Sequence, residues 1–586
     1  MKLEGVVIPN QSSSGEWRER WLMGILSGLA LVLLWAKVLF SLNIIWQIFN
    51  FAFQVDESEG MIVAETLLMD QGINIYAPLH ADRFIAAPYT PLYYLLNWPF
   101  LHFIGASFKP GRFISFLAFC GISFLLYKLI ASYTASKSVS SSTPSIKPDR
   151  IAGLAAALFW VSLGLSAFWG GAVKPDMLAL FFSLAGVYAI FRYSQKINLL
   201  EAAPLGDLKS VLLSDKWLYI GAFYFALAAM TKQTAFAGPL ACLVFLVLCC
   251  SFWSALRFGV VWAVLAFGPM LLMNWLSNNG FWYHIVTVHE LPWSLENYWK
   301  FFSGFVKSYQ LYVGLSLIFL VLWLLDLLKT TWSLRRPLAA LQSNRATLFI
   351  LYLGTSWGTG LSAGTYGGNH NHLLELAAAI CLASGLMVSR LRQWWQGSSK
   401  LKYTYPLLLL LVSLQTTGLF VGEGRVKPED FPVLGSTAPT QAGLEVLRSL
   451  FYNPESPWLG LEYRTPPPGL KEGLGQVAAF MTNDVGQLIY TDNVSLALAS
   501  QKPILTTDPF TQTHATYFKR WDESYLIELI ERKQFHLIVL RARIEERLQT
   551  TGAAQDIYLS PGLAQAILAN YNLTQSNAAF IYEPKN

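Results

Sequence analysis

The stretch WLMGILSGLALVLLWAKVLFSLNIIWQIFNFAFQ, residues 21–54, decides the fold, and VDESEG follows it directly at 55–60. This apolar run exceeds the roughly 20 residues that a helix needs to cross a bilayer. It is also far longer than a signal-peptide core, and the polar start of the chain lacks a small-residue cleavage site, so we predict a retained membrane anchor. Arg18 and Arg20 precede the run, which predicts a cytoplasmic N-terminus.

The composition extends this prediction to the rest of the chain. Of its 586 residues, 54% are hydrophobic and only 13% are charged, against about 25% charged in ordinary soluble domains. A single soluble globule is therefore excluded. The net charge of +6 does not indicate nucleic-acid binding, and we expect no nucleic-acid partner. The five cysteines lie in apolar runs without CxxC spacing, and we interpret them as reduced packing residues.

Hydropathy and charge together predict the topology. Further apolar runs begin near residues 111, 151, 177, 217, 235, 258, 309, 347, 373 and 405, giving about 11 transmembrane helices. With the N-terminus inside, the even-numbered gaps between runs should be basic. They are, because lysines and arginines gather at 128–150, 192–216, 257, 329–345 and 390–402. Counting the apolar segment 89–107 as a span would destroy this agreement, so we predict amphipathic interfacial helices there, in the first outer loop.

After residue 421 the long apolar runs end, and shorter segments with alternating apolar and polar residues follow. We divide the chain into a multi-spanning membrane domain, residues 1–421, and an extracytoplasmic linker with a small α/β domain, residues 422–586. QLIYTD (487–492), KPILTTD (502–508) and FHLIVLR (535–541) have the pattern of short buried strands, and residues 494–500 and 522–533 have helical spacing. The proline- and glycine-rich linker, residues 425–468, is predicted to be irregular.

Candidate site residues begin with two acids at the membrane surface. Asp56 and Glu57 follow the first span directly, and they are either a solvated helix end or part of a site. The same loop supplies Arg83 and the aromatic motif YTPLYY (89–94), and Arg112 opens the next span. A mere connector would not need about sixty residues, which favours a site.

Four cations contradict the positive-inside rule. Arg83, Arg112, Lys174 and Lys232 all fall on the predicted outer rim, and Asp176 is two residues beyond Lys174. A single exception is usually a side chain that snorkels to the interface. Four beside a cluster of acids indicate an anionic ligand, and a lipid-linked phosphate is the natural candidate.

Histidines gather in two later outer loops. His284 and His289 lie in the fourth, and His370, His372 and Glu375 lie in the fifth. His372 and Glu375 share a helical face, which suits a metal or a phosphate. Histidines that merely lie at the membrane interface, beside aromatic residues, would produce the same pattern equally well. The spacing is not a recognised zinc signature. The cofactor therefore stays unknown, with one option, a divalent metal held by Asp56, Asp176, His372 and Glu375.

Several motifs, in this order and on one predicted face, resemble a known superfamily. They are Asp56-Glu57, YTPLYY (89–94), GRF (111–113), KPD (174–176), GNHNH (368–372) and the tail segment 490–540. The chain resembles the integral-membrane glycosyltransferases of the C superfamily, in the protein O-mannosyltransferase and aminoarabinose-transferase-like branch.

The resemblance implies a function in cell-envelope glycosylation. It implies transfer of a hexose or pentose from a polyprenyl-phosphate donor, in a plasma (inner) membrane, to a glycan, lipid or protein acceptor on the outer face. Asp56 would be the base of an inverting reaction, with Glu57 and Asp176 as further catalytic acids. Donor binding is expected from Arg83, Tyr89, Tyr93, Arg112, Lys174, Lys232, His370 and His372. Many relatives have a lysine before the aromatic motif where this chain has Ala-Ala-Pro at 86–88, which leaves the phosphate-binding cation open.

Two questions remain open in the sequence. The chain could be a polytopic transporter or lipid flippase without glycosyl transfer, although transporters usually carry repeated halves and ionisable groups near the midplane. Here, apart from Lys37, the charges collect at the outer rim. The tail domain either binds the acceptor or passively caps the first and fourth outer loops.

Overall fold

Ten of the eleven predicted runs form helices in the computed structural model. It describes residues 14–136, 148–200, 215–334, 340–342, 344–397, 466, 469–484, 488–545, 558–576 and 578–586. The eleventh run, near residue 405, lies outside this part of the chain. The helices up to residue 397 are α1 (Ser14–Asn50), α2 (Glu57–Asp70), α3 (Leu92–Ile104), α4 (Lys109–Ser136), α5 (Arg150–Ser162), α6 (Gly164–Gly171), α7 (Pro175–Leu200), α8 (Lys216–Thr231), α9 (Ala237–Phe245), α10 (Phe252–Leu276), α11 (Gly280–Ile285), α12 (Leu295–Ser308), α13 (Gln310–Leu334), α14 (Thr347–Gly360) and α15 (Leu374–Gly397).

Long apolar helices make this a polytopic membrane protein. In the described part of the chain, α1, α4, α7, α10, α13 and α15 each contain a stretch long and apolar enough to cross a bilayer. The bent α5–α6 pair is a seventh candidate, and α8, α9 and α14 are shorter. The apolar stretches of α7 and α15 are 78% and 89% buried, against 11% for α10. Hence α7 and α15 form the centre of the bundle, and α10 faces its surroundings.

A bend between α5 and α6 carries the chain into the protein. The two helices meet at 66° at Leu163, whose backbone is extended. The hydroxyl of Ser166 donates to the carbonyl oxygens of Trp160 and Leu163 at 2.5 and 2.8 Å, so polar backbone groups at the break stay paired. All of α6 is buried, and its end leads directly to Lys174.

The proline-containing segment of the first outer loop does not cross the membrane. Its helix, α3, has 13 residues, which gives a length of about 20 Å, too short for a bilayer. Leu95, Phe100 and Phe103 are exposed on it, whereas Tyr93 and Tyr94 are buried. The predicted interfacial position of this helix stays a prediction, and its exposed apolar side is compatible with it.

The tail forms a small α/β domain with a four-stranded sheet. Its elements are α16 (Leu470–Asn483), β1 (Leu488–Thr491), α17 (Val494–Ala499), α18 (Pro509–Tyr517), α19 (Ser524–Glu531), β2 (Phe535–Leu540), α20 (Pro561–Asn570), β3 (Tyr571–Ser576) and β4 (Phe580–Pro584). The strand order is β1-β2-β4-β3, with β1 and β2 parallel and the other pairs antiparallel. The predicted strands at 487–492 and 535–541 are confirmed, as are both predicted helices. The predicted linker, residues 425–468, lies outside the described residues except for residue 466.

The strand predicted at 502–508 is wrong. This segment does not join the sheet and instead pairs with the first outer loop through a single bridge between Phe84 and Thr506. Phe84 N–H donates to the Leu505 carbonyl at 2.7 Å, and Thr507 N–H donates to the Phe84 carbonyl at 3.0 Å. An apolar core shared by Phe51, Phe53 and the tail's Leu474, Val477 and Met481 adds to the contact. The tail is therefore packed onto the first outer loop.

Candidate active site

Asp56 is held at the start of α2, one residue before the helix begins. Its Oδ1 accepts hydrogen bonds from the backbone N–H of Ser58 at 3.1 Å and from the Ser58 hydroxyl, as an N-cap residue does. The same oxygen lies 3.2 Å from Lys174 Nζ. In the described part of the chain all of these contacts fall on Oδ1. The side chain keeps 19% of its surface exposed, and Oδ2 makes none of these contacts.

Lys174 reaches Asp56 from the end of the α5–α6 bend. Its ammonium lies 4.3 Å from the centroid of the Trp169 ring, a cation–π arrangement that holds the otherwise flexible side chain. Only 9% of the Lys174 side chain is exposed. Lys174 thus supplies a positive charge directly beside the accessible carboxylate.

Arg112 has a structural position instead of a ligand-facing one. It makes two hydrogen bonds to Glu59, from Nε at 2.9 Å and from Nη2 at 2.8 Å. Its remaining N–H groups donate to the carbonyl oxygens of Ile48, Phe51 and Phe53. All five donors are thereby used, and the residue is fully buried. The predicted phosphate contact does not fit this geometry, because Arg112 instead fixes the turn from α1 into α2.

A second ion pair lies deeper on the same face. Asp176 Oδ1 accepts hydrogen bonds from Lys232 Nζ at 2.5 Å and from Asn371 Nδ2 at 2.8 Å. Its Oδ2 is buried and has no hydrogen-bond partner among the described residues. A cavity of about 50 Å³, lined by Asp176, Lys232, His372 and Glu375 among others, adjoins it. The first turn of α7, the end of α8 and the loop before α15 meet here.

The fifth-loop residues His372 and Glu375 belong to this second cluster. His372 Nδ1 lies 2.7 Å from the Ser362 hydroxyl, and Glu375 Oε1 accepts from Ser183 at 2.7 Å and from Tyr352 at 3.3 Å. His370 is buried, with its ring 4.8 Å from Phe301. Among the described residues no group of three or more His, Cys, Asp or Glu side chains is arranged to hold a metal. The possible ligands Asp56, Asp176, His372 and Glu375 are thus not gathered into one such group among those residues.

The aromatic motif divides into one residue near the acids and one inside the protein. Burial raises the pKa of the Tyr89 hydroxyl well above its usual value, and the nearby charges of Asp176 and Asp56 raise it further. The Tyr89 hydroxyl is therefore close enough to both carboxylates to feel their charge. The Tyr93 hydroxyl instead contacts the Gly111 carbonyl at 2.9 Å and Ser115 at 3.0 Å, which is a packing role. Arg83 is half-buried beside the Phe84 bridge and forms no ion pair with these acids among the described residues.

The tail contributes Arg541, which the sequence analysis missed. Its guanidinium forms an ion pair with Glu57 and lies 4.3 Å from the Tyr558 ring. Its backbone N–H donates to Asp492 at 2.9 Å. Burial raises the pKa of Glu57, and the charge of Arg541 opposes that shift. Asp492 and Arg541 directly follow the adjacent parallel strands β1 and β2. Residues at the carboxyl ends of parallel strands often form binding sites, so this position in the sequence could have indicated Arg541 as a site residue.

The tail also places a buried acid near the first outer loop. Glu65 accepts a hydrogen bond from the Tyr94 hydroxyl at 2.7 Å, and burial raises its pKa well above the usual value, with the nearby charge of Asp508 adding to the shift. Asp508 caps α18 and has its own pKa raised by burial. Acidic and cationic side chains from the first outer loop, the tail, the start of α7 and the end of α8 therefore share one face of the protein.

Comparison with known proteins identifies the fold. No protein-family model matches the chain, and no curated protein matches it. The apo crystal structure of ArnT from Cupriavidus metallidurans aligns with a TM-score of 0.53 at 10% sequence identity, covering 96% of this chain and 98% of ArnT. The structure of ArnT bound to undecaprenyl phosphate aligns with a TM-score of 0.51 at 12% identity, covering 96% and 97%. The chain thus has the fold of ArnT over nearly its whole length.

Proposed function

We propose that this protein is a glycosyltransferase that moves a sugar from a polyprenyl-phosphate donor to an acceptor hydroxyl on the outer face of the membrane. The observation that carries the proposal is the pair formed by Asp56 and Lys174. A partly exposed carboxylate lies 3.2 Å from an ammonium, at the membrane surface, in the fold of ArnT. The complex of ArnT with undecaprenyl phosphate supports a polyprenyl carrier as the donor lipid.

Asp56 acts as the base in this mechanism. Its Oδ2 accepts the proton of the acceptor hydroxyl while that oxygen attacks the anomeric carbon from the face opposite the phosphate. The bond from the anomeric carbon to the phosphate oxygen breaks, and the polyprenyl phosphate leaves with the electron pair, which inverts the anomeric centre. A carboxylate is a weak base for an alcohol, so positioning and electrostatics supply most of the barrier reduction.

Lys174 and Lys232 stabilise the charge that develops on the leaving phosphate. Both are mostly buried yet lie on the face that carries Asp56, where a low dielectric strengthens their effect. Many relatives carry a lysine where this chain has Ala86 and Ala87. The backbone N–H groups of these two alanines are not available to bind the phosphate either. Ala86 N–H donates to the Thr507 hydroxyl at 3.2 Å and Ala87 N–H donates to His284 at 3.3 Å, so the tail and the fourth loop fix this segment.

Glu57, Asp176 and the tail orient the substrates. Asp176 positions Lys232 and Asn371, and Glu57 connects the base-bearing turn to Arg541 of the tail. We assign the acceptor to the space between the first outer loop and the tail, because Arg541, Tyr558 and Asp508 face the acids of the loop there. No metal is needed in this scheme.

The test is sugar transfer by the purified full chain from radiolabelled polyprenyl-phosphate hexose and pentose. We expect turnover by the wild type and a loss of about 10²- to 10⁴-fold in Asp56→Asn. Asparagine retains the capping oxygen, so the fold is preserved. Asp70→Asn is the matched control, since Asp70 lies at the other end of α2, accepts from Trp98 at 2.7 Å and has a similar exposure of 23%.

Two results would contradict the proposal. Equal turnover in Asp56→Asn and Asp70→Asn would remove Asp56 from the mechanism. No turnover with any donor in a well-folded wild type would favour a lipid flippase, and transport of a fluorescent polyprenyl-phosphate lipid in vesicles would then be measured.

A further inference from the structure

A large cavity lies at the opposite ends of the helices that carry the candidate active site. Its volume is about 1170 Å³. It is bounded by the end of α4, the start of α5, the end of α7 and the second halves of α13 and α15. On α7, Asp176 and Arg192 are 16 residues apart, which separates the two sites by about 24 Å along the helix. The cavity is thus at the other rim of the membrane domain.

The lining of this cavity is strongly cationic. Its charged residues are Lys128, Arg150, Arg192, Lys329, Arg345, Arg390 and a single acid, Asp326. Arg390 holds that acid through two hydrogen bonds of 2.7 and 3.1 Å. Within the described part of the chain, the other five cations have no carboxylate partner. The cavity therefore gathers more positive charge than its own acids neutralise.

Arg192 and Arg345 are partly buried, and Arg192 is held in place by an aromatic ring and a hydroxyl group. The Arg192 guanidinium lies 5.5 Å from the Trp217 ring centroid and 3.4 Å from the Tyr188 hydroxyl. Arg345 is half-buried, and burial lowers its pKa, with the Tyr133 hydroxyl the group that opposes this shift. Partly desolvated like charges repel one another, and an anion that enters between them removes that repulsion. A phosphate accepts hydrogen bonds from several guanidinium groups at once, and four arginines line this cavity.

The same cavity has an apolar side. Phe319, Trp323 and Leu386 line it beside the cations. On the outer surface of α13, next to these residues, Leu324 and Leu328 are exposed at 42% and 62%. An occupant with a phosphate head and hydrocarbon chains would meet both environments, because its head enters the cationic cavity and its chains lie along α13.

We propose that this cavity binds the phosphate headgroup of an anionic phospholipid. The positive-inside rule explains an excess of lysine and arginine at this rim but does not require them to converge on one cavity. A basic pocket between membrane helices is a physical means of selecting an anionic lipid. The inference does not depend on the reaction proposed for the opposite rim.

The experiment is lipid binding to the delipidated full chain, followed by native mass spectrometry. Phosphatidylglycerol, phosphatidylcholine and inorganic phosphate are titrated separately. We expect one tightly bound phosphatidylglycerol, with phosphatidylcholine and inorganic phosphate at least tenfold weaker. Removing a cation should weaken the lipid about fivefold, so Arg192→Gln combined with Arg345→Gln should weaken it about 25-fold.

Lys216→Gln is the matched control. Lys216 is exposed at the start of α8, on the same rim, and does not line the cavity. Equal weakening by this control would show only general surface attraction and would overturn the proposal. An unchanged double variant, or equal affinity for phosphatidylcholine, would do the same. Inorganic phosphate binding as tightly as the lipid would assign the cavity to a soluble anion instead. If the double variant fails to fold, Lys329→Gln, at an exposed position, replaces it with an expected fivefold effect.

Discussion

Arg112 and Glu59 face each other with both side chains fully buried, joined by parallel hydrogen bonds of 2.9 and 2.8 Å. Glu59 also accepts the backbone N–H groups of Val55 at 2.6 Å and Val173 at 2.8 Å. One ion pair therefore connects the turn before α2, the start of α4 and the approach to α7. Those three segments carry or adjoin the candidate catalytic residues.

We predict that Arg112→Met destabilises the protein by about 3–5 kcal/mol, because it leaves the Glu59 carboxylate buried and unpaired. Thermal unfolding of the purified protein measures this effect, and Asp56→Asn should move the same midpoint only slightly. If Arg112→Met melts like the wild type and shows only a raised KM for the donor, then Arg112 binds the donor and the structural role is wrong.

The Asp176–Lys232 pair allows a stricter separation of stability from catalysis. Lys232→Met should destabilise the fold by about 3–5 kcal/mol, since it removes the cation beside a carboxylate that is 4% exposed. Adding Asp176→Asn removes the unpaired charge and should restore most of the melting temperature. Turnover should stay low in the double variant, because the lysine acts on the leaving phosphate. Recovery of activity together with stability would show that the pair is only structural.

Arg541 should affect the reaction from the tail. We predict that Arg541→Met lowers turnover by at least tenfold, because Glu57 loses its ion pair next to Asp56. Arg520→Met is the control, since Arg520 also connects the tail to an outer loop, with its Nη2 3.4 Å from the exposed Glu290. Its turnover should remain within about twofold of the wild type. If both variants lose activity equally, the specific role of Arg541 is contradicted, because a general weakening of the contact between the tail and the outer loops would then explain the effect.

Two histidines of the fourth outer loop predict a dependence of stability on pH. His284 Nε2 lies 2.7 Å from the Ala77 carbonyl while Nδ1 accepts from Ala87 N–H, so the neutral ring is the form that fits. Burial lowers the pKa of His284, and burial lowers the pKa of His289 to about 3. The unfolded chain, with a histidine pKa near 6.5, binds more protons than the folded one between these values.

The contribution of these two histidines to stability should therefore be constant above about pH 7 and decrease as the pH is lowered through 6.5 towards 3. Melting temperatures measured across this range test the sign. His284→Gln removes one titrating ring and should flatten the decline, whereas His80→Gln removes an exposed ring and should leave it unchanged. A decline that is identical in all three proteins would place the acid sensitivity elsewhere.

The sequence predicts the shared face better than the individual contacts. Asp56 and Lys174 are 118 residues apart, yet the alternation of basic and neutral gaps assigns both to one rim, where the structure brings them together. The distribution of charges along the sequence cannot distinguish a cation that stabilises the fold from one that is free to bind a ligand. Arg112 and Lys174 both break the positive-inside rule, and only the count of paired N–H groups separates them.

The tail shows a second limit. KPILTTD has the composition of a buried strand, but a short apolar strand does not specify its partner, and the first outer loop competes successfully for its backbone groups. Arg541 was missed for a related reason. The role of Arg541 depends on how the tail packs onto the first outer loop. This packing joins segments far apart in the sequence, and local sequence patterns do not predict it.

The pairing of Glu57 with Arg541 has a consequence for biosynthesis. These residues are separated by 484 positions, and nearly the whole chain lies between them. A ribosome makes Glu57 484 residues before Arg541, so a nascent chain cannot complete this part of the site until β2 of the tail has been made. Insertion of the helices up to residue 397 can thus proceed with this face still open, and the face is assembled only after the tail has been made and has folded.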